Sequence, residues 1–192
     1  GAQGAVRCQL AADAERVGEK QGKIRSLMRR LESLGGRKAI VFTQFRATQD
    51  SIVAALRESG IEPAVFHGEL GWREKEETLD RFRTTLPVLV STEAGGEGRN
   101  LQFCSVVVNY DLPWNPMKIE QRIGRVDRIG QKFIVRALNF ALDDTVERRV
   151  RERLYRIEGP VEAEVIYVSD DLLVRHIQNK QASVHYGLGT KW

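Results

Sequence analysis

Val88-Leu89-Val90-Ser91-Thr92-Glu93-Ala94-Gly95-Gly96-Glu97-Gly98 is the stretch whose reading decides the fold: an unbroken apolar run that opens into hydroxyls, bare backbone and carboxylates. A strand with one face in water alternates apolar and polar residues. A strand covered on both faces need not, so Val88 to Ser91 reads as an interior strand of a parallel sheet. Working outward, Ala39 to Thr43, Ala64 to Phe66, Val106 to Tyr110 and Ile134 to Phe140 share that character. Between them, residues 46 to 58 carry Ile52, Val53 and Leu56 at helical spacing, and Trp72 to Arg83 turns Leu79 and Phe82 inward. Strands separated by amphipathic helices imply an α/β fold, an open parallel sheet with helices on both faces and ligands at the carboxyl ends of the strands.

The expected organisation is a lead-in segment over residues 1–36, a sheet-bearing lobe over 37–142 and a C-terminal helix and tail over 143–192. In the first, Ile24, Leu27, Met28, Leu31 and Leu34 recur at helical spacing up to Gly35-Gly36, which stops the helix. The sheet is expected to be complete within 37–142. Beyond it, a charge-rich helix is expected from Thr145 to Ile157, a strand from Val161 to Val168 and a helix from Asp170 to Lys180. The first residue is Gly rather than Met, which reads as the interior of a larger protein or a tag-cleavage scar.

A net charge of +4 admits nucleic acid as a partner without requiring it. No apolar run approaches the ~20 residues of a membrane span, so a soluble protein is expected, with no membrane partner. Cys8 and Cys104 lack any metal-ligand spacing and read as ordinary thiols. No metal site is expected. Gly18 to Lys23 glances at a phosphate-binding loop, but the glycine spacing is wrong, Ile24 stands where Ser or Thr is needed and no strand precedes it. Asp111 follows a strand as a magnesium-holding acid does, yet Leu112-Pro113 occupies the place of a second acid, so Asp111 reads as a loop cap. His67 at a strand end reads as a structural hydrogen-bonder rather than a general base. A serine or cysteine hydrolase is disfavoured by the lack of a Gly-x-Ser-x-Gly elbow and of a base beside Cys104.

Two stretches carry the chemistry. Gly95-Gly96-Glu97-Gly98 reads as a plain loop by composition, but its place at the ligand edge suits backbone approach to a phosphate and a ribose hydroxyl bonded to Glu97. Gln121 to Gln131, read as a helix begun by Asn115-Pro116, brings Gln121, Gly124, Arg125 and Arg128 onto one face. Two guanidiniums there suit bidentate contact with phosphoryl oxygens, with Gly124 clearing the approach. The competing reading is a solvated face whose arginines trade ion pairs with Asp127.

In order and spacing, Lys38 to Gln44, His67-Gly68, Val88 to Leu101, Tyr110 to Pro116 and Gln121 to Gln131 together resemble helicase motifs IV to VI of the Swi/Snf-type superfamily-two ATPases, and Asp144 to Val150 is similar to the segment that follows motif VI. The form Gln-Arg-Ile-Gly-Arg-x-Asp-Arg-Ile-Gly-Gln is most similar to bacterial members, including the RNA-polymerase-recycling type. The resemblance covers roughly residues 20 to 155.

That resemblance implies the second RecA-like lobe of an ATP-driven translocase on double-stranded DNA. The partner lobe of the same protein would hold ATP and Mg2+, and RNA polymerase or another DNA-bound protein is an expected partner. Arg125 and Arg128 match arginine-finger positions, with Gln121 orienting the site. Gly96, Glu97 and Gly98 would border the nucleotide. Gln44, His67, Ser91, Thr92 and Trp114 would face nucleic acid. The isolated lobe is expected to be inactive. Two departures stand out: Arg99 replaces the usual Leu of motif V, and Val126-Asp127 replaces the common Ala-His pair. The alternatives are the C-terminal lobe of an RNA helicase of the DEAD-box type, whose sixth motif begins with His, and a non-catalytic DNA- or protein-binding module.

Overall fold

The computed structural model describes residues 21–92, 101–113, 115, 117–127, 131, 133–142 and 161–168. Its strands are β1 (Ala39–Thr43), β2 (Ala64–Phe66), β3 (Val88–Thr92), β4 (Val106–Asn109), β5 (Val135–Leu142) and β6 (Val161–Val168). They form one sheet in the order β2-β3-β1-β4-β5-β6, and every pairing is parallel. The helices are α1 (21–33), α2 (Arg46–Glu58), α3 (Trp72–Thr84) and α4 (Met117–Ile123).

The strands lack alternation because both faces are covered. On one face Leu27 and Leu31 of α1, Leu34 just beyond it, and Ile52, Val53 and Leu56 of α2 pack on Ala39, Val41, Val90 and Val108. On the other, Phe82 of α3 and Ile119 and Ile123 of α4 pack on Ile40, Phe42, Leu89 and Val107. Burying one such side chain contributes roughly 1.5–3 kcal/mol. An ion pair such as Arg57–Glu62 is exposed and screened by solvent, so the two apolar faces decide the fold.

Local punctuation follows the sequence. Gly35, Gly36 and Gly60 take φ of 61°, 82° and 77° where α1 and α2 end, a conformation open to glycine at little cost. Asn115 accepts the Met117 amide through its side chain at 3.0 Å, opening α4. Lys38, placed by resemblance in the first motif, sits at the opposite end of β1 from the ligand edge. Its Nζ donates to the carbonyls of Phe82 and Leu86 at 2.7 and 2.9 Å, closing the carboxyl end of α3.

Two expectations are corrected. The sheet does not close at residue 142: β6 pairs with all eight residues of β5, from Val135 with Val161 to Leu142 with Val168. An eight-residue edge leaves a row of backbone groups open to pairing, and residues 143–160 supply the length that a parallel crossover needs. Arg30 of α1 meets Glu164 of β6 at 2.7 Å, so lead-in helix and last strand belong to one packed body. Nor does the helix at Gln121 run to Gln131: α4 ends at Ile123, and Arg125 and Val126 bond back three residues to Arg122 and Ile123 in tight turns. The expected helices over 145–157 and 170–180 lie outside the described residues.

Candidate functional site

Parallel pairing brings the carboxyl ends of five strands to one rim. Phe66, Ser91, Phe42, Asn109 and Asn139 stand in one row across β2, β3, β1, β4 and β5, about 4.8 Å apart from strand to strand. Gln44, His67 and Thr92 lie just beyond that row. The rim also carries exposed Phe45, Trp72 and Met117, each followed by an exposed cation, Arg46, Arg73 and Lys118.

At the centre of the rim Asp111 ties β4 to β1. Its Oδ2 accepts the Thr43 hydroxyl and the Gln44 amide, the latter at 3.2 Å, and its Oδ1 lies 3.8 Å from Lys23 Nζ of α1. The Gln44 side chain donates to Leu112 O at 3.1 Å. Asp111 therefore caps the loop, as expected. Lys23 also lies 4.8 Å from the centre of the Tyr110 ring, the place of a helix-borne structural cation rather than a phosphate-loop lysine. Among the described residues no three His, Cys, Asp or Glu side chains come together. With both oxygens of Asp111 engaged, this donor set does not fit a magnesium ion.

Two helices send polar side chains under the rim. Gln49 of α2, fully buried, donates to Phe66 O at 3.0 Å and Val90 O at 2.8 Å, and its oxygen accepts from Arg46. From the other face, Arg122 of α4, only 2% exposed, donates through Nη1 to Asn109 Oδ1 at 2.9 Å and Asp111 O at 3.1 Å. Asn109 passes the chain on to Asn139 at 2.8 Å, and Asn139 donates to Glu164 O of β6 at 3.2 Å. The guanidiniums of Arg122 and Arg125 lie 5.3 and 5.8 Å from the centre of the same Phe42 ring.

Arg125 is half-buried, while Gln121 and Gly124 are exposed on the outer side of the turn. Gly124 has a backbone reason as well: a Cβ there meets Glu120 O at 3.2 Å. The Arg125 carbonyl accepts the Leu101 amide at 3.1 Å, joining this turn to the segment after the glycine-rich loop. Gln131 reinforces that junction, donating to Gln102 O, Cys104 O and Val126 O at 3.0–3.1 Å.

The other anticipated residues differ in setting. Ser91 and Thr92 are buried, and the Ser91 hydroxyl turns to Thr92 O at 3.0 Å. His67 Nδ1 makes no hydrogen bond among the described residues and lies 3.8 Å from Glu69. Burial, and then the charge of Arg46, hold its pKa below the usual 6.5, so at neutral pH it is an uncharged imidazole and the Glu69 contact is no ion pair. Burial pushes the Cys104 thiol up to about 12, which removes it as a nucleophile. Gly96, Glu97, Gly98, Arg99, Trp114 and Arg128 lie outside the described residues. Sequence reading passed over Gln49, Arg122, Asn109 and Asn139. The signal available was a polar residue inside an apolar helical stripe: Gln49 with Ile52, Val53 and Leu56, and Arg122 with Ile119, Ile123 and Val126.

Comparison with known proteins agrees with this geometry. The profile of the family described as helicase conserved C-terminal domain matches residues 22–130. An uncharacterized ATP-dependent helicase, YqhH of Bacillus subtilis, is 43% identical over 149 residues, covering 77% of this chain and 27% of that protein. The RNA polymerase-associated protein RapA of Vibrio vulnificus is 39% identical over 114 residues, 57% of this chain and 12% of that protein. The chain thus spans about a quarter or less of the curated relatives it matches. Among solved structures, the E. coli DEAD-box protein SrmB superposes with a TM-score of 0.64 at 27% identity, covering 81% of this chain and 89% of that one.

Proposed function

Because this chain belongs to the helicase conserved C-terminal domain family, and within it to the Swi/Snf type, we propose that it is the second motor lobe of an ATP-dependent translocase on double-stranded DNA. The observation that carries this reading is Arg125, held over Phe42 at the ligand rim and bonded through its carbonyl to the segment after the glycine-rich loop. A guanidinium so placed supplies fixed positive charge to a phosphoryl group presented by a facing lobe. Arg125 and Arg128 are the fingers in this reading, Gln121 orients the site, and Gly96, Glu97 and Gly98 border the nucleotide.

The phosphates and Mg2+ are assigned to the first lobe, as the resemblance to the Swi/Snf-type ATPases implies. The exposed pairs Phe45-Arg46, Trp72-Arg73 and Met117-Lys118 support the rim as the face turned to polyanion and partner lobe. Gln44, His67, Ser91, Thr92 and Trp114 are the proposed nucleic-acid side of that rim. Contacts of this kind are independent of sequence and weaken with salt. The names of the RapA relatives support RNA polymerase as the DNA-bound partner, and the proposed location is the cytoplasm, at the nucleoid.

ATP turnover, measured with and without duplex DNA, tests the reading. The 192-residue chain alone should hydrolyse nothing. In the full-length protein, Arg125→Ala should lower kcat by about 10³-fold or more with ATP binding retained. Turnover by the chain alone, or unchanged kcat in the variant, breaks the proposal. The match to SrmB supports an RNA-helicase lobe as second reading; stimulation of the full-length protein by RNA and not by duplex DNA would favour it.

A further inference from the structure

The two arginines that share the Phe42 ring have different surroundings. Arg125 is half-buried at the rim, whereas Arg122 is sealed beneath it at 2% exposure. Burying a guanidinium costs several kcal/mol unless its hydrogen bonds are rebuilt inside. Here Nη1 rebuilds two of them on groups fixed by the sheet, Asn109 Oδ1 at 2.9 Å and Asp111 O at 3.1 Å. Asn109 is itself locked by Asn139, and Asn139 by Glu164 O of β6. An apolar residue would fill the same stripe with Ile119 and Ile123 at lower cost. What a donor bonded to two fixed acceptors adds is direction: a rotation of α4 that moves Nη1 breaks both bonds at once.

We infer that Arg122 is a positioning residue: by bonding Asn109 and Asp111 O and lying on Phe42, it fixes the rotation of α4 and so places Arg125, one turn later, for phosphoryl contact. The Arg125 amide lies 3.4 Å from Arg122 O, and both guanidiniums rest on one ring, so a rotation of α4 that frees Arg122 also lifts Arg125 from Phe42. A displacement of about 1 Å at a reacting group costs on the order of 100-fold in rate, while the binding of substrate elsewhere is unaffected. The inference rests on the finger reading of Arg125.

The experiment uses the full-length protein with Arg122→Lys, which keeps the charge and loses the planar guanidinium that lies on Phe42, and Asn109→Ala, which removes the acceptor. Each should lower kcat about 30-fold, leave the KM for ATP within about threefold, and weaken ADP–fluoroaluminate far more than a non-hydrolysable ATP analogue. Some Tm is lost in each, because each disturbs a buried hydrogen bond, so kcat is read per folded molecule. A purely structural Arg122 would lower Tm and leave kcat per folded molecule intact. Values of kcat within threefold of the parent in the variant that folds overturn the inference, and so does loss of folding in both. Arg125→Ala, run alongside, separates the two readings. Unchanged turnover there sinks the finger assignment itself. Turnover lost in Arg125→Ala but kept in Arg122→Lys sinks only the positioning role.

Discussion

The two halves of the sheet are locked under the rim by opposite means. Across β2 and β3, the neutral amide of Gln49 reaches in from α2 and bonds two backbone carbonyls, Phe66 O and Val90 O. Across β4, β5 and β6, the charged guanidinium of Arg122 reaches in from α4 on the other face and bonds, through Nη1, a side chain that belongs to a further polar chain. Bonds from an amide to backbone fasten strands and do little more. A buried charge is the costlier device, and it stands beside the arginine assigned to chemistry. The contrast teaches that one half stabilises the lobe while the other aims it.

The largest effect that can break this contrast is on the stability of the first half. Gln49→Leu keeps the volume but deletes two buried hydrogen bonds worth about 1 kcal/mol each, and with them the more exposed bond from Arg46, so about 2 kcal/mol or slightly more should be lost. For a chain of this size that is a fall of roughly 4–8 °C in Tm by calorimetry. Turnover per folded molecule of the full-length protein should stay at the parent value. Should kcat fall with Gln49→Leu as far as with Arg122→Lys, the division of labour between the halves is wrong.

The sequence made the strands and α2 legible because unbroken apolar runs and 3.6-residue periodicity are local properties. Val88–Thr92 and Arg46–Glu58 were found nearly to the residue. The sixth strand was readable as a strand but not as part of this sheet, since pairing of Val161–Val168 with β5 depends on an edge distant in the chain. The site was legible as a set of residues at strand ends, because parallel strands put all their carboxyl ends together. Its interior was not: Gln49 and Arg122 are polar letters in apolar stripes, and their partners sit 13 to 41 positions away. The sequence reads α4 as longer than it is because Arg125 and Val126 continue its turn in a tighter form.

The junction between the halves offers a smaller effect. Lys23 lies 3.8 Å from Asp111 and 4.8 Å from the Tyr110 ring, so α1 reaches the point where β1 and β4 are tied. Lys23→Met keeps the apolar stem and removes the charge, leaving Asp111 its bonds to Thr43 and Gln44. The loss should be about 1 kcal/mol, read by urea unfolding. A loss as large as that of Gln49→Leu would make the junction, rather than either half, the main lock.

The smallest effect concerns protons, and it again separates the halves. A guanidinium keeps its charge throughout the working range, so the Arg122 half has no switch near neutrality. The other half has His67, at the end of β2, whose pKa lies below 6.5 because burial, and then Arg46, disfavour its charged form, against the smaller opposite pull of Glu69, Asp50 and Glu74. A folded pKa below the unfolded one means that the unfolded chain binds the proton more readily. His67 therefore contributes its full stability above about pH 6.5 and loses it as pH falls from there toward the folded value. His67→Gln, which cannot titrate, should lose less Tm than the parent between pH 7.5 and pH 5. An NMR titration of the imidazole should give a midpoint below 6.5. A midpoint at or above 6.5, or equal pH sensitivity in parent and variant, would remove His67 from the proton account and leave the two halves distinguished by hydrogen bonding alone.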